Sequence, residues 1–166
     1  ALILTSCTYD GLRYDLPPII AAAHQHGIKV IIDEAWYGHA AFHPEFFPTA
    51  LQAGADYATQ STHKVLSALS QASMIHVNDA EFDGHSFREN FNMHASTSPQ
   101  YAIIASLDVG RKQAVMEGYK LLNQALALAA ELRDAIDATG IFRVLQLSGL
   151  LPDEVRSDGV RLDPTK

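Results

Sequence analysis

Asp33-Glu34-Ala35-Trp36 follows the apolar run Lys29-Val30-Ile31-Ile32, and Ser61-Thr62-His63-Lys64 follows Ala58-Thr59-Gln60. One helix-sized segment lies between them. In an open α/β sheet, ligands sit outside the carboxyl ends of the strands, so this spacing sends a carboxylate, an indole and a lysine to one rim. A lysine there can form a Schiff base with an aldehyde cofactor while a carboxylate pairs with a ring nitrogen of the same group. Each residue also has a plainer reading. Lys64 could be a solvated surface charge, Asp33 a helix cap or turn former, and Trp36 a packing residue. Ser61 and His63 alternate with Thr62 and share a face, from which both could donate to a phosphate. A strand-end hydroxyl can equally bond to local backbone. Strand alternation turns Glu34 away from the side that Asp33 faces.

The elements that would position these groups follow from periodicity and punctuation. Residues 1–7 read as a buried strand. Pro17 and Pro18 open an apolar segment that runs to Gly27, the usual asymmetry of a helix start and stop. Residues 29–33 form a continuous apolar strand of the kind covered on both faces. Residues 47–54 read as a helix ending at Gly54, and residues 56–61 and 72–77 as two further strands. Alternation of strand and helix predicts a parallel α/β sheet with right-handed crossovers. Helices are expected over 85–95, 99–116 and 117–139. The last carries the stripe Leu121, Leu122, Ala125, Leu128, Ala129, Leu132 and Ile136, and ends at Gly140. Residues 141–147 read as a strand of a following subdomain.

Bulk properties narrow the classes. The chain has 166 residues, 48% hydrophobic and 19% charged, with a formal charge of −7. That charge argues against a nucleic-acid footprint, which needs a basic patch. A single cysteine, Cys7, excludes an internal disulfide and fits a reducing compartment such as the cytoplasm. No apolar run approaches the ~20 residues of a membrane span. His39 and His43 are four apart but flanked by Gly38 and Pro44, and no cysteine or acidic partner completes a metal set at the usual spacing. The first residues lack a basic leader and the last lack a closing element, so a piece of a longer chain is expected.

Four runs in order carry a resemblance: Asp33-Glu34-Ala35-Trp36-Tyr37-Gly38, Gln60-Ser61-Thr62-His63-Lys64, Ser70-Gln71-Ala72-Ser73-Met74-Ile75-His76 and Met93-His94-Ala95-Ser96-Thr97-Ser98-Pro99. Together they resemble the bacterial ornithine/lysine/arginine decarboxylases, pyridoxal-phosphate enzymes of the aspartate-aminotransferase fold (fold type I). The resemblance implies a three-layer α/β/α fold with a mostly parallel sheet. It makes residues 1–140 part of the cofactor-binding large domain and 141–166 the start of the next subdomain. It implies pyridoxal 5'-phosphate as cofactor and a small amino-acid substrate, arginine before lysine or ornithine because of Glu34, Tyr37 and Gly38. Lys64 would form the Schiff base, Asp33 would pair with the pyridine nitrogen, and Ala35 would pack on the ring. Trp36 would sit near the phenolic oxygen, and Ser61 and His63 would contact the phosphate. Thr97 and Ser98 resemble a loop that reaches toward the neighbouring subunit's phosphate, so a homodimer or higher oligomer is implied. An aminotransferase of the same fold would share Asp33 and Lys64, but the Ser61–Lys64 and Ser70–Met74 runs separate it. A noncatalytic assembly module is the remaining alternative.

Overall fold

The computed structural model describes residues 1–155 and 159–166. Its sheet contains β1 (Leu2–Thr5), β3 (Val30–Asp33), β4 (Tyr57–Gln60) and β5 (Met74–Val77) in the order β1-β3-β4-β5. The first three strands are parallel, as the alternation of strands with helix-length connections predicts. β5 departs from that expectation and pairs antiparallel with β4. The connection from β4 to β5 holds only the one-turn helix α2 (Thr62–Val65). A parallel return needs a crossover of a dozen or more residues that spans the sheet, usually on a full helix.

Strand alternation divides the sheet into two faces. On the inner face, Val30, Ile32 and Ala58 are fully buried against Leu16, Ile20 and Ala23 of α1 (Leu16–Gln25) and against Ala50 and Ala55. α1 starts with Pro17 and Pro18 in its first turn, as the sequence predicts. The outer face carries Ile31, Tyr57, Thr59 and Ile75, against which Phe82, just before α3 (Gly84–His94), and Phe87 within it lean. Helices therefore lie on both sides, in three layers. The outer layer is thin: Ile3 stays 71% exposed.

The helix expected over 47–54 is absent. Two short 3-10 turns, Ala40–Phe42 and Pro44–Phe46, precede a single turn closed by Ala53 N–H on Thr49 O. Pro44 and Pro48 supply no N–H donors. Thr49 and Gln52 accept each other's backbone N–H groups in a capping box, which opens one turn, and Gly54 in the left-handed region at φ +100° ends it.

The two helices expected over 99–139 are one, α4 (Tyr101–Ala138). Gly110 and Gly118 do not break it. A Cβ on Gly110 would lie 3.0 Å from Ser67 O, and one on Gly118 would lie 3.0 Å from Phe42 Cβ, so these glycines let the helix close onto the body. Farther along, Leu122 and Leu126 pack on Cys7, Tyr37, Ala40 and Phe46, while Leu128 and Leu132 remain exposed. No helix among the described residues is long and apolar enough to cross a membrane.

Residues 141–147 do not form the expected strand. Their N–H groups go to side chains instead: Ile141 and Phe142 to Thr139 Oγ1, and Val144 to Asp137 Oδ1. α5 (Leu147–Leu150) follows. Then β6 (Val160–Leu162) returns to pair antiparallel with β2 (Leu12–Tyr14), a ribbon with no clear local signal. Arg133 of α4 fastens this return by donating to the carbonyls of Pro164 and Lys166.

An ionic cluster ties the opposite end of the sheet. Lys29 Nζ lies 2.6 Å from Asp79 Oδ1, 3.1 Å from Glu81 and 3.7 Å from Asp56. The Tyr57 hydroxyl donates to Asp79 Oδ2 at 2.6 Å. The Lys29 ammonium, then the Tyr57 hydroxyl, hold the Asp79 carboxyl down to about 2. An unfolded aspartate titrates near 4 (about 3.9), so the folded state binds fewer protons between these values. This contribution is complete above pH ~4 and is lost as pH falls toward ~2. Asp79→Asn is expected to lower the urea midpoint at pH 7 and to flatten its decline across that acid window. An unchanged acid slope would remove Asp79 from the account.

Candidate active site

The β3–β4 register sets the rim. Asp33 stands opposite Thr59, so the segments after both strands leave the sheet side by side. Asp33 O is held by Ser6 N–H at 3.0 Å, and Asp33 Oδ1 accepts Ala35 N–H at 2.8 Å. That contact turns the chain sharply and spends one carboxylate oxygen, leaving Oδ2 for a ligand. Glu34 turns inward, 1% exposed, as the alternation predicts. Burial pushes its carboxyl up, opposed by hydrogen bonds from Gln60 and Ala50.

Lys64 is presented from α2, whose turn is closed by Lys64 N–H on Ser61 O at 2.9 Å. Its ammonium lies 4.7 Å from the centre of the Trp36 ring. Lys166 Nζ lies 5.6 Å from the same ring, and Tyr9 meets the indole edge-on at 5.3 Å. An ammonium over an indole face is attracted by the ring quadrupole. Trp36 thus brings the two motifs into contact. Ser61 caps α2 without a side-chain capping bond, so its hydroxyl stays available. His63 Nδ1 lies 2.8 Å from Ala72 O; a carbonyl only accepts, so Nδ1 carries the proton and Nε2 is the nitrogen left for a ligand.

Behind the rim, three buried polar atoms have no hydrogen-bond partner among the described residues: Tyr37 Oη, His39 Nδ1 and Thr62 Oγ1. Burial lowers His39 to about 4, which keeps its ring neutral at neutral pH. His39 and Lys64 line a shared cavity of about 210 Å³ beneath Gln113 of α4.

Six of the eight candidate residues therefore meet at one rim: Asp33, Ala35, Trp36, Ser61, His63 and Lys64. Thr97 and Ser98 lie on the exposed turn between α3 and α4, where Ser98 N–H donates locally to Ser96 Oγ. Tyr9, His39 and Lys166 join the site without having been candidates for it. Tyr9 and Lys166 are far from both motifs in sequence, and only the β2–β6 ribbon brings Lys166 back. The spacing of His39 was legible, but its burial was not.

The residues fit pyridoxal phosphate. The rim offers an exposed amine, a carboxylate oxygen free of its backbone contact, the small side chain of Ala35 and an uncommitted hydroxyl. A mostly parallel α/β sheet carrying such a lysine and carboxylate at its carboxyl rim defines the class, the fold type I large domain. Residues 1–156 match the family model for the Orn/Lys/Arg decarboxylase major domain, and the chain belongs to that family. It is 39% identical over 137 residues to an arginine decarboxylase of Bacillus cereus, covering 82% of this chain and 30% of that protein. It is 48% identical over 128 residues to the lysine decarboxylase LdcA of Pseudomonas aeruginosa, covering 70% of this chain and 16% of that protein. Among solved structures, the Francisella novicida lysine decarboxylase LdcF superposes with a TM-score of 0.77 at 28% identity, over 98% of this chain and 26% of that one. The chain thus spans less than a third of the length of these relatives.

Proposed function

We propose that the protein holds pyridoxal phosphate for the decarboxylation of a basic amino acid, arginine before lysine or ornithine. The observation that carries this reading is the delivery of Asp33 and Lys64 to one rim by segments that leave two parallel strands in register and meet through Trp36. When bound, the cofactor supplies an electron sink for the carbanion left as carbon dioxide departs. Lys64 would hold it through Nζ. Asp33 Oδ2 would keep a proton on the ring nitrogen. Ala35 would pack beneath the ring, and the Trp36 indole N–H would donate to the ring oxygen. Ser61 Oγ would donate to the phosphate. His63 can do so only through Nε2, as an imidazolium, because Nδ1 is committed to Ala72. The order of arginine before lysine rests on Glu34, Tyr37 and Gly38, since arginine and lysine decarboxylases are both among the similar proteins. Thr97 and Ser98 would serve the site of a second copy in a homodimer, working in the cytoplasm.

The test is chemical. The protein is incubated with pyridoxal phosphate, reduced with borohydride and digested. The expected label is on Lys64. A label on Lys166, Lys29, Lys112 or Lys120 in its place overturns the assignment. Carbon dioxide release from arginine, lysine and ornithine, measured side by side, decides the substrate order.

A further inference from the structure

The inner face of the sheet carries a polar chain that the proposed reaction does not use. Glu34 Oε1 accepts Ala50 N–H at 2.7 Å, and Oε2 accepts Gln60 Nε2–H at 2.9 Å. Gln60 Oε1 lies 2.9 Å from His76 Nε2. The three side chains span β3's end, β4 and β5, and line a cavity of about 230 Å³ with apolar walls at Leu51, Leu66 and Met74. His76 and Arg111 of α4 are the other ionisable groups lining it. Buried polar groups in such surroundings are costly unless satisfied, so the direction of each bond matters.

That direction follows from one charge. A carboxylate only accepts, so Gln60 must turn its NH₂ toward Glu34. The Gln60 carbonyl then faces His76, and His76 must carry its proton on Nε2. Gln60 directly precedes Ser61, and Glu34 directly follows Asp33. The chain thus clamps, from behind, the two strand ends whose outer sides present the site. Glu34 N–H on Thr59 O at 2.8 Å reinforces the clamp through the backbone.

We propose that Glu34 is a positioning residue: its carboxylate sets the polarity of the Glu34–Gln60–His76 chain and so locks the ends of β3 and β4 in the register that presents Asp33 and Lys64 together. The positioning half rests on the roles proposed above for Asp33 and Lys64; the polarity of the chain does not.

Glu34→Gln tests both halves. The substituted amide would keep its oxygen for Ala50 N–H and turn its NH₂ to Gln60. Gln60 would flip, and its NH₂ would face His76 Nε2, which would have to become the bare nitrogen. Burial lowers the His76 titration, so the ring is neutral at pH 7.5 and its tautomer can be read by ¹⁵N correlation of the imidazole, assigned with His76→Asn. The expected result is a proton on Nε2 in the wild type and on Nδ1 in Glu34→Gln. Affinity for pyridoxal phosphate and kcat should each fall on the order of tenfold to a hundredfold, the scale of a small misplacement of reacting groups. KM should move less than kcat, because Glu34 does not touch the substrate. A wild-type His76 protonated on Nδ1 overturns the polarity, and that spectrum needs no variant. The same tautomer in both proteins overturns it too. A switched tautomer with unchanged cofactor affinity and kcat overturns the positioning role. If the wild type takes no cofactor, the functional reading fails and the positioning role falls with it, while the tautomer still decides the chain.

Discussion

Lys64→Ala is expected to abolish borohydride-trapped attachment of pyridoxal phosphate and to lower decarboxylation by at least ~10⁴-fold. At about 1.4 kcal/mol per decade this is more than ~5 kcal/mol of barrier. The reason is that Lys64 does two jobs, holding the cofactor and returning to release the amine, while the other lysine over the Trp36 ring, Lys166, stands farther off at 5.6 Å against 4.7 Å and comes from the β6 return rather than from α2. The fold should survive. Lys64 is exposed, and its backbone bond to Ser61 does not involve the side chain. Loss of the Trp36 contact removes only a surface cation–π interaction, on the order of 0.5–1 kcal/mol. Circular dichroism and urea midpoints check that the variant is folded. Turnover within tenfold of the wild type would end the assignment.

Asp33→Asn is the second large effect. The substituted side chain can still accept Ala35 N–H through its oxygen, so the turn after β3 should hold. Its amide NH₂ would then face the ring nitrogen as a donor. A donor in that place favours the unprotonated ring, which is the weaker electron sink. Turnover should fall by about 10²–10³-fold, the scale of losing one preorganised electrostatic contact in a transition state. Cofactor should still attach at Lys64, which separates this variant from Lys64→Ala. Near-normal turnover, or loss of attachment, would refute the role given to Asp33.

The chemistry of the rim was legible because it is written in short runs. Strand period, a carboxylate at one strand's end and a lysine after the next are local facts, and parallel pairing of β1, β3 and β4 follows from short strands joined by long connections. The inward turn of Glu34 followed from alternation alone. What failed locally failed for a local reason: Pro44 and Pro48 supply no N–H donors, and Gly54 stops after one turn the segment that the Thr49–Gln52 capping box opens.

The remaining decisions depended on residues far apart in the chain. The direction of β5 was settled by a connection too poor in helix for a crossover. The unbroken α4 was settled by Ser67 and Phe42, which meet Gly110 and Gly118 where a Cβ would not fit. Lys166 reaches the Trp36 ring only because β6 pairs with β2. The sequence alone determined which groups could do the chemistry and that two strands would carry them. Their surroundings, including the chain from Glu34 to His76 and the buried His39, came from tertiary packing, because hydrogen-bond direction and desolvation are set by neighbours in space.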